Sequence, residues 1–387
     1  MDDSKTLAYT DLDWAIGINR ISLKILGLWP DDKLSHWQKF FANLRAFIIF
    51  ITMFITSVIP GMLALLRVWG DIVAMADNLQ IALPLSVTVL KFIIMRFRKE
   101  DLVPIINMIV NDWIKTKTVQ ERDTMIKQAK IAKAIVMFGC VMMSFASVAL
   151  IIPPCFGYSI RYLTNLTDGA KPLLLQTYYL RDMTESPYYE IAFVAQATSI
   201  IMAAISYTGI DNFLGLLVFH ICAQLDILKV RLLNLNDFKS FSIGLSFNIE
   251  DHLRLIRSVD VIDHTFNLML LALLMYFAIL FCVQGFLLVT IIDGVNEDIS
   301  FMRISWLISI LINTFVHMCL YCVVGEILIA KGEGVYYAAY NYTWYSLKPN
   351  EARNLLLIMI RSEKPLLITA GRIFPMTLSM FCSVRHP

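Results

Sequence analysis

The sequence predicts an all-α membrane protein of seven transmembrane helices, with its N-terminus in the cytoplasm and its last span incomplete. Three observations predict this class. Of 387 residues, 58% are hydrophobic, against roughly 45 to 50% for a soluble domain, and only 17% are charged, against roughly 25%. The mean hydropathy of +0.65 holds over the whole length, so the apolar excess recurs along the chain rather than sitting in one helix. Lys and Arg also alternate between rich and poor connections, as they do in multi-pass proteins. This composition excludes a disordered chain and argues against a water-soluble enzyme. A net charge of +2 supplies no field to attract nucleic acid.

Residues 1–45 read as a cytoplasmic N-terminal segment. Asp2, Asp3, Lys5, Asp11 and Asp13 leave no early apolar core for a cleaved signal peptide, so the first span must direct insertion. Stretches without Asp, Glu, Lys or Arg then locate the spans, because a helix needs about 20 apolar residues to cross hydrocarbon. Ala46 to Leu66 supplies 21 such residues, Ala134 to Ile160 27, Ile191 to Ile210 20, Thr265 to Ile292 28, and Ile304 to Gly325 22. A further span, Ile72 to Met95, carries Asp77 and Lys91 near its ends, where both are expected to reach an interface by snorkelling. The seventh, Pro365 to Val384, is broken by Arg372 after seven residues.

Bends are expected at Pro60-Gly61, Pro84 and Pro153-Pro154, where neighbouring helices must satisfy freed backbone groups. The fourth apolar region continues past Asp211 to Leu225, which outruns a bilayer and predicts a helix projecting into water. Segments Leu102 to Trp113 and Met125 to Ala134 read as cytoplasmic helix extensions. Lys331-Gly332-Glu333-Gly334 reads as a turn after span six.

Cations set the orientation. Successive connections carry six, one, eight, three, five, one, five and two Lys or Arg, so alternate connections total 24 against 7. The richer side is cytoplasmic and includes the N-terminus. Seven spans then leave the C-terminus outside, opposite to a G-protein-coupled receptor. Two sequons test this: Asn165-Leu-Thr167 falls on the outer side and is the predicted glycosylation site, whereas Asn341-Tyr-Thr343 falls inside.

No enzyme chemistry is visible. Histidines 36, 220, 252, 264, 317 and 386 form no metal-binding or catalytic pattern, and no phosphate-binding glycine loop occurs. Cys319 and Cys322 have the spacing of a metal pair but lack a second pair and sit within a span. No cofactor or metal is expected.

The motif Tyr340 to Tyr345 with Trp344-Tyr345, followed by Arg361, Pro365-Leu366, Thr369-Ala370-Gly371 and Phe374-Pro375, resembles the closing signature of insect odorant receptors. Leu26-Gly27-Leu28-Trp29-Pro30 is similar to their usual opening, and the likeness extends over almost the whole chain. It points most closely to a ligand-tuning subunit from an insect such as an ant or wasp. The resemblance implies a ligand-gated, nonselective cation channel subunit that forms a hetero-oligomer, a tetramer, with the odorant receptor co-receptor. It implies residence in the plasma membrane of olfactory neuron dendrites, embedded in the lipid bilayer, with a small volatile odorant as ligand. It divides the chain into 1–45, a six-helix transmembrane bundle with the odorant pocket at 46–330, a cytoplasmic anchor loop and helix at 331–364, and a pore helix at 365–387.

The pore helix departs from the family. In the family it continues past Phe381-Cys382-Ser383-Val384, whereas here the sequence stops at Arg385-His386-Pro387. Residues 373–387 would reach about 22 Å as helix, short of a ~30 Å core. Beginning at Pro365 would place Arg372 in hydrocarbon, at about +2.5 to 3.5 kcal/mol near its centre. The expectation is a truncated or alternatively spliced chain with impaired conduction.

The resemblance also places the odorant pocket among the outer halves of spans two, three, four and six, and helical spacing then selects faces. In span three these are Ser144, Ser147 and Ile151 with Phe145 and Val148 beside them; in span two Met75, Asn78 and Leu79; in span four Phe193, Ala197 and Ile200; in span six Trp306, Ile310 and Asn313. Ordinary helix packing explains the same small and apolar residues. Competing readings are a gustatory-receptor channel, a G-protein-coupled receptor and a secondary transporter. The first would carry a different C-terminal signature, the second the opposite orientation, and the third paired broken helices.

Overall fold

The computed structural model describes residues 2–382 apart from 32–33, 116, 157–172, 180–182, 184, 239 and 293–300. The helices are α1 (Asp2–Leu26), α2 (His36–Met53), α3 (Ile59–Arg67), α4 (Ile72–Arg98), α5 (Val103–Ile114), α6 (Val119–Cys155), α7 (Tyr188–Leu233), α8 (Phe241–Ile292), α9 (Phe301–Asn341), α10 (Pro349–Glu363) and α11 (Leu378–Cys382). Among the described residues, six helical stretches are long and apolar enough to cross a membrane. The chain end of α3 near Arg67 is called outer below, following the cation count.

Local chemistry explains where these helices begin. Ser35 and Gln38 form a reciprocal capping box at α2, Thr118 and Glu121 do the same at α6, and Asp71 caps α4 through the Ala74 amide. The first span is not uniform. A π-helical turn, Phe54–Val58, joins α2 to α3 directly before Pro60, so the bend expected at Pro60-Gly61 is accommodated by local widening of the helix.

α7 is the central helix and α8 the longest. At 46 and 52 residues they extend about 69 and 78 Å, more than twice a hydrocarbon core. The continuation past Asp211 is therefore present. α7 is apolar all round, which suits a helix buried on every side, and Phe213, Leu217, Ile221 and Leu225 are fully buried on it. It packs on α1, α4, α6, α8 and α9.

The N-terminal segment is ordered around α1, which places Leu12, Ile16, Leu23 and Leu26 in the main core. Its end is a close approach: Gly27 has φ +72°, and a Cβ there would lie 2.2 Å from the Ala42 carbonyl oxygen. Only glycine closes α1 against α2 in this way.

Two expectations change. Lys331-Gly332-Glu333-Gly334 is not a turn but lies within α9. The two glycines are tolerated because neighbours occupy their surface: the nearest atoms to a Cβ at Gly332 belong to Leu366, and Lys331 is tied to Asp226 of α7 at 2.7 Å. The segment expected to begin the seventh helix starts instead as a two-stranded hairpin. Thr369–Ala370 (β1) pairs antiparallel with Phe374–Pro375 (β2), and the helix begins only at Leu378. Gly371 and Arg372 have φ +64° and +60°, the left-handed pair of a tight hairpin turn. Arg372 thus lies in a hairpin turn, not within a helix. Asp263 of α8 accepts both the Thr369 amide, at 2.6 Å, and its hydroxyl, at 2.8 Å, fixing the hairpin to the bundle.

Candidate ligand-binding site

A cavity of about 160 Å³ lies in the outer half of the bundle, between α4, α6, α7, α8 and α9. For scale, an engineered cavity of about 150 Å³ lined by aliphatic and aromatic side chains stays dry and binds benzene. Its wall is mostly apolar: Ile81 and Leu85 from α4, Leu150 from α6, Ile200 and Ala203 from α7, Phe277 and Leu280 from α8.

Of the residues selected from sequence, Ser147, Ile200, Trp306, Ile310 and Asn313 line this cavity. Ile151, Phe193 and Ala197 pack just outside it, around Leu174 and Leu175. Asn78 is buried and holds the outer connection, donating to the Gln176 carbonyl at 3.1 Å. Met75 accepts the Gly70 amide through its sulfur, and Leu79 is half-buried beside it. Ser144, Phe145 and Val148 are exposed, on the lipid-facing side of α6. The inward stripe of α6 is Met143, Ala146, Ser147 and Leu150, turned by about one residue from the face chosen by spacing. Asn165 lies outside the described residues.

The roof is built from the connection before α7. Gln196, fully buried on α7, uses both ends of its amide there. Its oxygen accepts the Leu175 amide at 3.0 Å, and its nitrogen donates to Thr177 at 2.9 Å and Tyr179 at 3.1 Å. Tyr178 donates its amide to Pro60, and Tyr179 donates its hydroxyl to Thr56, so the roof is also fastened to the first span. Leu174 and Leu175 then seal it against Ile200.

The floor departs most from the sequence reading. Lys91 does not snorkel: it is completely buried and paired with Asp211 of α7. Its ammonium lies 3.7 Å from the Tyr207 ring centroid, and Tyr207 stacks on His317 at 5.6 Å. Asp77 is likewise buried, accepting the Gln80 side-chain amide at 2.8 Å. Both charges face the bundle interior because there a partner replaces water, which lipid cannot do. Tyr207 and His317 form the cavity floor, and His317 with Asp211 also borders a smaller cavity of about 70 Å³ on the inner side.

Sequence reasoning missed Gln196, Tyr207, Tyr276 and His317. The one available signal was the pairing of Lys91 with Asp211, each near a span edge when taken alone.

These features define a multi-pass membrane protein with an apolar cavity among its helices. A family model described as 7tm Odorant receptor matches residues 71–385, and the chain belongs to that family. Odorant receptor 10 of Aedes albopictus is 26% identical over 209 residues, 52% of this chain and 54% of that protein. Odorant receptor 30a of Drosophila melanogaster is 26% identical over 231 residues, 58% and 59% of the two chains. The chain thus spans between half and three-fifths of the length of these relatives. Odorant receptor 10a of Drosophila melanogaster aligns more broadly, at 22% identity over 95% of this chain and 91% of its own. The solved insect olfactory receptor OR5 from Machilis hrabei shares the fold, with a TM-score of 0.80, 17% identity and 96% of both chains covered. The structure of that receptor in complex with eugenol matches equally well.

Proposed function

We propose that this chain is an odorant-binding subunit of a ligand-gated, nonselective cation channel, assembled with the odorant receptor co-receptor in the dendritic plasma membrane of olfactory neurons. The carrying observation is the outer-half cavity, roofed by the connection pinned to Gln196. A small volatile ligand would bind there mainly by burial, at about 25 cal/mol per Å² of apolar surface, with a few polar atoms fixing its orientation. The ligand contacts in this reading are Ser147, Ile200, Trp306, Ile310 and Asn313, joined by Ala203, Tyr207, Tyr276 and His317. Residues 331–364 act as the cytoplasmic anchor between subunits, and the helix beginning at Leu378 as the start of the pore. Asn165 is the glycosylation site on the outer face.

Occupancy is transmitted through the floor. A ligand shifts a conformational equilibrium only by its differential contacts with the two states, and Tyr207, which lines the cavity, lies against the buried Lys91 ammonium with the cavity-lining His317 stacked on it. Voltage clamp of cells expressing this chain with the co-receptor, exposed to a panel of volatiles, tests the reading. Ligand-dependent cation current requiring both chains is expected. Current without the co-receptor, or an N-terminal tag reached by antibody on intact cells, would overturn it.

A further inference from the structure

Resting on that reading, we infer that the cavity selects ligands that donate a hydrogen bond, and that Gln80 is the residue that selects them. Gln80 lines the cavity and is 5% exposed. Its amide nitrogen donates to a carboxyl oxygen of Asp77 at 2.8 Å. The atom left over is therefore the carbonyl oxygen, which is buried and has no partner.

The other hydroxyls in the wall do not relieve it. Ser147 donates to the Met143 carbonyl at 2.9 Å, Thr88 to Pro84 at 2.7 Å, and Thr314 to Ile310 at 2.8 Å. Each has spent its one proton on its own helix and offers the cavity only lone pairs. Asn313 adds a second buried carbonyl oxygen without a partner.

The consequence is a preference. A buried acceptor without a donor is costly, and a ligand hydroxyl that reaches it removes that cost, whereas a hydrocarbon or ether of the same shape does not. Discrimination of about tenfold or more in favour of the donor follows from an interaction of this strength. The ligand class is small alcohols and phenols of about one ring, the size the cavity holds.

The test uses three probes on the purified full chain in detergent, read as ligand-induced shift in melting temperature, so that binding is measured without conduction. They are 4-methylphenol, its near-isostere p-xylene, and 4-methylanisole, which accepts but does not donate. The expected order of affinity places 4-methylphenol at least about tenfold ahead of both others. In Gln80→Leu this advantage should shrink, what remains resting on Asn313, while p-xylene binding persists or improves. Should that variant fail to fold, the ranking of the three probes on the natural chain decides alone. Equal affinity of 4-methylphenol and p-xylene, or an advantage undiminished in Gln80→Leu, would overturn the inference. Absence of co-receptor-dependent current would instead count against the channel reading, leaving the binding result intact.

Discussion

The outer and inner halves of the bundle are held together by different chemistry. Around the cavity several polar contacts join neutral groups, Gln196 to the roof, Ser57 to Ser199 at 2.7 Å and Asn78 to Gln176, and the Asp77 carboxylate accepts from the neutral Gln80 amide. Toward the cytoplasmic ends, charges staple the helices. Arg231 of α7 meets Glu121 of α6 and Asp251 of α8, at 2.6 and 2.8 Å. Asp112 of α5 holds His220 of α7 at 3.0 Å and Arg254 of α8 at 2.6 Å. Asp226 of α7 receives both Lys331 of α9 and Gln128 of α6. Nearby, burial lowers the Lys117 ammonium, with Asp11 and Asp112 opposing the shift. The inner half is cross-linked by charge and keeps a cavity of about 70 Å³, and the outer half holds the larger space of about 160 Å³. On the proposed reading, a ligand acts on the outer half and the stapled half serves as the fixed reference. Lys91–Asp211 marks the border between them.

Substitutions can break or sharpen this contrast, and the border should show the largest effect. Lys91→Met leaves the Asp211 carboxylate without its cation and should destabilise the fold by about 3 to 5 kcal/mol, whereas Lys91→Met with Asp211→Leu should recover most of the loss. Thermal unfolding in detergent and surface abundance both report it. Gln196→Ala in the roof removes partners from Leu175, Thr177 and Tyr179, at about 1 to 3 kcal/mol. Its distinctive sign is faster ligand departure, read as quicker decay of current after washout. Gly371→Ala forces a side chain into left-handed backbone and to within 2.8 Å of Leu271, a loss of about 1 kcal/mol or more, visible as lower melting temperature. Arg122→Gln, at the half-exposed pair with Asp11 of α1, should cost at most about 1 kcal/mol and shrink with added salt.

The fold was largely legible because lipid makes the rules strict: long apolar runs must be helices, and cations choose the side. The fold of the C-terminal segment was not legible from those rules. Apolarity around Arg372 fits a broken helix and a hairpin alike, and only the positive φ of Gly371 and Arg372 separates them. The site was legible in part for a related reason. Spans three and four are apolar on all sides, so spacing gives a stripe without saying which stripe faces inward. Span six carries Trp306, Ile310 and Asn313 on one line, and all three reach the cavity. In span three the choice of Ser144 instead of Met143 was a rotation of one residue, about 100° of helix. Lys91 was misread because an isolated lysine in a span invites snorkelling, and its partner lies 120 residues away.

The account stands on the outer cavity being where ligand acts, and Ala203→Phe tests this most directly by filling the cavity from α7. With surface abundance matched by an external tag and the co-receptor present, dose–response curves for any activating volatile should shift to at least about tenfold higher concentration, since overpacking of this size costs about 1 to 3 kcal/mol. Unchanged curves at normal abundance would place the ligand elsewhere and contradict the account.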